Sequence, residues 1–203
     1  YYLIIAADMS SAATIGNTIG IGSISFSNIN FLQVPQSKNG TDPVAAGGVQ
    51  TIIAGASVSN TGAPGASNIG QSSTDNTIFG FDITPAGTTS LPDFTSLTVT
   101  TSGTATFADF NNFKIVKDLD ASGDYSGGDI TVSNNVGFNS SMTFTVTGET
   151  GLTTNTRYLI LADAPATATV GNTLTLSINL NSDINLGKPI ITTAPYTGNA
   201  QTI

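Results

Sequence analysis

The sequence predicts an all-β chain: an antiparallel β-sandwich of about eight strands, preceded by a partial repeat that supplies strands to a neighbouring unit. Three observations predict it. Apolar residues alternate with Thr, Ser and Asn at a period of two along most of the apolar runs. Clusters of Gly, Asn, Pro and Ser interrupt those runs at short intervals, as turns between strands do. The first fifty residues also read like a second copy of the last fifty, and such self-similarity is the mark of an array.

The elements follow in chain order. Tyr2 to Asp8 returns as Tyr158 to Asp163, and Ala13 to Ile19 returns as Ala168 to Leu174. Gly47 to Ile52 is echoed by Gly198 to Ile203, so the offsets run 156, 155 and 151 in one order along both copies. Residues 1–36 then hold a partial repeat with two or three strands, 37–43 a linker and 44–203 the complete sandwich. Residues 60–76 are small and polar and read as a surface loop. Phe79, Phe81 and Ile83 share one strand face, as do Leu97 and Val99, and Met142, Phe144 and Val146. The run from Tyr158 to Leu161 is apolar on both faces, as a strand covered on both sides would be. Leu174, Leu176, Ile178 and Leu180 alternate with Thr173, Thr175, Ser177 and Asn179. No stretch carries a helical stripe, and Asp93 or Asp109 opens one short helical turn at most.

Composition narrows the setting. Of 203 residues, 9% are charged and 39% hydrophobic, so solubility rests on Ser, Thr, Asn and Gly, as in secreted all-β proteins. Thirteen acids against five bases give a negative field that opposes nucleic-acid backbones. The chain has no Cys, which removes disulfides and thiolate metal sites. No apolar run approaches the length needed to cross a membrane bilayer, and if the protein is exported its signal was removed or lies outside this sequence. The expected location is extracellular, at the cell surface.

One motif carries chemistry. Asp118, Asp120, Ser122, Ser126 and Asp129 place oxygen side chains at positions 1, 3, 5, 9 and 12 of a twelve-residue loop, with Gly123 at position 6 and Asp124 at position 7, which contributes its backbone carbonyl. That is the spacing of a calcium loop, in which alternate residues turn toward a hard cation. Four carboxylates in twelve residues repel one another without one. Asp at position 12 has a shorter bidentate reach than Glu. The flanks, Phe113 to Val116 and Ile130 to Val132, read as strands, which sets the loop apart from a helix-flanked calcium sensor. The competing reading is a solvated acidic turn. Asn39-Gly40-Thr41 and Asn139-Ser140-Ser141 fit the N-glycosylation pattern, a weak signal in so Asn- and Thr-rich a chain. Lys114, Lys117, Arg157 and Lys188 read as solvated or paired.

Catalysis is not expected. Without His or Cys there is no Ser–His or Cys–His nucleophile. A glycosidase needs only two carboxylates, and Asp82, Asp93, Asp109, Asp163 and Glu149 remain available. Sugar sites, however, usually present aromatic platforms, and the chain has no Trp.

The string from Phe113 to Asp129, followed by Thr143 to Glu149, Tyr158 to Asp163 and Gly171 to Thr173, resembles tandem β-sandwich repeats of bacterial cell-surface and secreted proteins. The resemblance covers most of residues 46–203, and its tail recurs in 1–36. It implies an Ig-like fold, calcium stiffening and a stalk or fibre role. The architecture also resembles that of extracellular filament subunits joined by donated strands. The first expectation is therefore a structural filament or surface-array subunit, joined head to tail with copies of itself. Tyr2, Leu3, Ile4, Ile5, Ile19 and Ile21 would make that joint. The alternative is a stalk or ligand-binding repeat of a large surface adhesin, gripping a glycan or host ligand.

Overall fold

The structure, a computed structural model, describes residues 6–8, 13–29, 43, 47–87 and 91–203. The chain divides into two compact units, Tyr1–Ile53 and Ala54–Ile203. Of the expected linker 37–43, only Pro43 lies within the described residues. The division falls after Ile53, because residues 47–53 pair within the N-terminal unit.

That unit holds a short antiparallel ladder of β1 (Thr18–Ile19) and β2 (Gln50–Thr51). Gly16 N–H donates to the Ile52 carbonyl at 2.8 Å, and Gly47 N–H to that of Ile21 at 3.0 Å. A 3-10 turn follows at Phe26–Asn28. Of the expected joint residues, Tyr2, Leu3, Ile4 and Ile5 lie outside the described residues. Ile19 and Ile21 are 47% and 40% exposed.

The C-terminal unit is all-β, apart from a 3-10 turn at Asn181–Asp183. Its first half contributes β3 (Gly55–Ser59), β4 (Ser67–Asn68), β5 (Ser73–Ala86), β6 (Ser96–Gly103), β7 (Asn111–Asp118), β8 (Ile130–Thr131) and β9 (Ser141–Thr145). Its second half contributes β10 (Thr156–Ala164), β11 (Thr173–Ile178), β12 (Ile184–Asn185), β13 (Tyr196–Thr197) and β14 (Gln201–Thr202). Seven of these strands have five residues or more, and the other five have two.

One sheet runs β3-β5-β10-β7-β8, antiparallel throughout. In the other, β6 pairs with β9, β11 and β12, while β11 also pairs with β13 and β14. β4 joins β14 in parallel. The stretch 60–76 is therefore partly built into a sheet: Ile69 is buried and its N–H donates to the Thr202 carbonyl at 2.7 Å.

The period-two pattern becomes burial. In β9 and β11 the apolar residues are buried while the alternate Thr and Ser residues stay wet or half-wet. Across the wet face, the Thr98 and Thr143 hydroxyls meet at 2.9 Å, a cross-strand pair that sustains the ladder. Residues from both sheets form one core. At its centre, Phe81 stacks on Tyr158 at 5.6 Å and Phe94 meets the same ring edge-on at 4.9 Å. The Tyr158 hydroxyl donates to Glu149, which also receives Lys117 at 2.9 Å. Burial and the Glu149 carboxylate together push the Tyr158 phenol well above its ordinary value.

β10 is buried on both sides. Tyr158, Ile160 and Ala162 face the core, whereas Leu159, Leu161 and Val116 form a separate buried cluster. Gly80 lies opposite Leu159. A Cβ there would stand 2.6 Å from the Gly62 carbonyl oxygen, so the loop backbone sits directly on this strand.

Asp109 clamps two distant turns. Its carboxylate accepts from Thr169 N–H at 2.7 Å, the Asn172 amide at 2.9 Å, and both N–H and hydroxyl of Thr106. Burial opposes ionisation, but these donors outweigh it and hold the carboxyl at about 2 against an ordinary 3.8.

Two predictions follow from this packing. Because its folded value is depressed, Asp109 contributes stability that is full above 3.8 and lost as pH falls through 2. Denaturant melts from pH 6 to 2 should show a loss that Asp109→Asn flattens, worth about 2 kcal/mol. Gly80→Ala should cost about 1–3 kcal/mol by forcing the Gly62 backbone off the sheet, measured by the same melts.

Candidate metal centre

The acidic loop joins two antiparallel strands. β7 ends at Asp118 and β8 begins at Ile130, with Val116 opposite Thr131 and Lys117 opposite Ile130. The turn inside it needs left-handed backbone at Ala121 (φ 54°) and Gly123 (φ 85°). Gly suits that geometry, and a short network of side-chain acceptors holds the rest.

Asp118 is 5% exposed and accepts from Ser122 N–H at 3.2 Å and Gly123 N–H at 2.8 Å. Asp120 accepts from Ser122 N–H at 3.0 Å. Asp129 closes the loop, accepting from Leu119 N–H at 3.0 Å and Ser126 N–H at 2.7 Å. The Ser122 hydroxyl donates to the Asp124 carbonyl at 2.9 Å.

Carboxylate oxygens of Asp118, Asp120 and Asp129 lie within 4.8 Å of one another. Of the six residues expected to hold calcium, these three carboxylates converge. Asp124 is not among them, and Ser122 and Ser126 take part through the hydrogen bonds just described. Burial raises the Asp118 carboxyl above its ordinary value, and the Asp120 and Asp129 carboxylates push it the same way. Asp120 is held lower, chiefly by its hydrogen bonds to Ser122. Hard oxygen donors of this kind suit Ca2+, and each carboxylate oxygen that accepts one N–H retains a lone pair for a cation. A cation bound there would offset the charge of the three carboxylates.

Arg157 connects the loop to the sheet, a role its sequence context did not reveal. It stands on β10 between Asp82 of β5 and Asp118 of β7. Its Nε meets Asp82 Oδ1 at 2.9 Å, and its Nη1 donates to the Ala121 carbonyl at 2.7 Å. Asp82 is the main cause of a guanidinium held even more firmly protonated than usual. Gly62 lies against that guanidinium, where a Cβ would clash. Beyond it, Lys114 pairs with Asp75 and lies 5.7 Å from the centre of the Tyr125 ring.

An open cleft of about 560 Å3 lies beside the loop, lined mostly by residues 61–69 with Asn76, Thr77, Ser122, Gly123, Asp124 and Arg157. No aromatic side chain lines it. Comparison with known protein families and with characterised proteins finds no match to this chain.

Arg157→Ala removes the partner of a buried carboxylate and should cost about 3 kcal/mol. Arg157→Lys keeps the charge but loses the fork that reaches both Asp82 and Ala121. Limited proteolysis should therefore find the loop cut faster in both variants, with the alanine variant alone strongly destabilised in urea.

Proposed function

We propose that this chain is a structural β-sandwich repeat of an extracellular or cell-surface protein, a rigid spacer whose acidic loop takes up calcium. The observation that carries this reading is the convergence of Asp118, Asp120 and Asp129 in a hairpin loop tethered to the sheet. Asp118, Asp120 and Asp129 would hold the ion, with oxygens of Ser122, Asp124 and Ser126 within the same twelve residues. Calcium at the end of a β-hairpin restrains the loop and the sheet edge together, which is what a stalk unit needs. The sparse charge and the Thr-rich wet faces suit such a role. An Ig-like relationship to bacterial surface repeats belongs to the same proposal.

A filament of copies joined by donated N-terminal strands is the second reading. The half-exposed Ile19 on the β1–β2 ladder and Ile21 just beyond it favour it. Against it, β11 already pairs with β6 on one edge and with β14 and β13 on the other. A donated pair would find its places filled. Ligand capture by the cleft beside the loop is secondary, since no aromatic platform lines it.

Calcium at a hundredfold excess over its dissociation constant should raise the melting temperature by about 5–10 °C. Asp118→Ala combined with Asp120→Ala should remove that gain. An equal melting temperature in calcium and in chelator for the unaltered chain would overturn the calcium reading.

A further inference from the structure

The two units contain the same hydrogen-bonded corner. Gly171 N–H donates to the Ile203 carbonyl at 2.7 Å, as Gly16 does to Ile52 at 2.8 Å. Asn172 N–H reaches Thr169 at 3.2 Å, as Asn17 reaches Thr14 at 3.2 Å. Ile203 N–H returns to Asn172 at 3.0 Å, as Ile52 returns to Asn17 at 2.8 Å. Gly198 donates to Leu176 at 3.0 Å, as Gly47 donates to Ile21 at 3.0 Å. The ladders match residue for residue: Thr173 with Thr202 and Leu174 with Gln201, against Thr18 with Thr51 and Ile19 with Gln50. Gly16 and Gly171 even share a left-handed φ, 90° and 91°.

The surroundings of the two corners differ. Leu174, Leu176 and Gln201 are completely buried, while Ile19, Ile21 and Gln50 are exposed. In the C-terminal unit groups from residues 54–155 cover the corner, Asp109, Phe79, Ser67 and Gly65 among them. The Asp109 carboxylate receives Thr169 N–H and the Asn172 amide. The Phe79 ring fills the space beside Gly198, where a Cβ would stand 2.6 Å from it. Ser67 Oγ and the Gly65 carbonyl take up the Gln201 amide. The N-terminal corner has the matching residues, Thr14, Asn17, Gly47 and Gln50. Among the described residues no carboxylate meets Thr14 or Asn17, and only a backbone oxygen at 3.9 Å approaches a Cβ placed on Gly47.

We propose that the N-terminal unit is the back half of a second sandwich. It is completed by a front half like residues 54–155, carried by polypeptide outside residues 1–203, which sets an Asp109-like carboxylate on Thr14 and Asn17 and buries Ile19 and Ile21. Stoichiometry selects this occupant over another copy. Each chain holds one front half and two back halves, so copies that exchange strands always leave one back half per chain uncovered. A heterologous exchange therefore gains nothing in apolar burial. The inference rests on the tandem-spacer reading, but not on calcium.

The test uses the absence of Cys to place single thiols. Ile19→Cys, Ile21→Cys and Val170→Cys are made in the 203-residue chain and in the same chain with residues 54–155 duplicated ahead of Tyr1. Thiol labelling at positions 19 and 21 should be fast in the first and slowed about a hundredfold in the second, with the 72%-exposed position 170 fast in both. Asp109→Ala in the added front half should restore part of the labelling. Equal labelling of both chains at 19 and 21 would overturn the proposal. Protection in the unextended chain that grows with concentration would also overturn it, in favour of a second copy. A calcium-independent melting temperature leaves this result untouched, so the two readings fail separately.

Discussion

Strand β10 must be covered on both faces, and the C-terminal unit is arranged around that need. Its inner residues, Tyr158, Ile160 and Ala162, are buried by the facing sheet, as in any sandwich. Its outer residues, Leu159 and Leu161, join Val116 on a face that two layers leave open to water. Burying three such side chains is worth roughly 1.5–3 kcal/mol each, enough to recruit loops as a third layer. The Gly62 segment lies on Gly80 next to Leu159, and the Tyr125 ring folds back over Lys114. Arg157, at the start of the same strand, fastens both loops through Ala121 and the surface of Gly62. The acidic loop thus lies where the sheet needs a lid, and its chemistry is built on a position that apolar burial chose.

The charges sort themselves by the same logic. Three of the five basic side chains are spent on Asp75, Glu149 and Asp82, which lie on or beside this sheet. Two buried aspartates then fare oppositely. Asp109 collects four donors from neutral groups and is held at about 2. Asp118 has two backbone donors and two like-charged neighbours, and its carboxyl is raised. The donors at Asp109 complete its solvation from within the fold. At Asp118 burial and the like-charged Asp120 and Asp129 prevail, although the Arg157 guanidinium that bonds Asp82 also feels the Asp118 charge.

The strand pattern was legible because alternation is local. Leu174, Leu176 and Ile178 announce their buried face by spacing alone, and the unbroken run at Tyr158 to Leu161 announces a strand covered twice. What covers the second face was not legible. Residues 60–76 read as a polar loop, yet Ile69 is buried and Ser67 and Asn68 pair with β14, because the parallel partner lies more than a hundred residues away. Ile130 to Val132 announced β8, but the other four two-residue strands were hidden for a similar reason: only the tertiary fold brings such short stretches beside a sheet edge. The acidic spacing pointed to Asp118, Asp120 and Asp129, whose carboxylates converge, since that period is written within twelve positions. Arg157 and Asp109 gave no such signal. Their partners, Asp82 and Thr169, stand 75 and 60 residues away, and a lone charge in a strand looks the same whether it is solvated or a clamp.

The duplicated corner separates what a local sequence specifies from what an assembled core adds. A left-handed Gly, an Asn two-way hydrogen bond and a Thr–Thr ladder form at residues 14–21 and 47–52 as they do at 169–176 and 198–203. The geometry is the same although one copy is buried and the other is wet, so burial is not what shapes the turn. Burial decides instead whether that turn is stable. In arrays of like units, stability is the sum of what each unit has alone and what its neighbour contributes across the interface. The C-terminal corner has both terms, through Phe79 and Asp109. Among the described residues the N-terminal corner has only the first, and its Gly47, Thr14 and Asn17 match the residues that receive the second in the C-terminal corner.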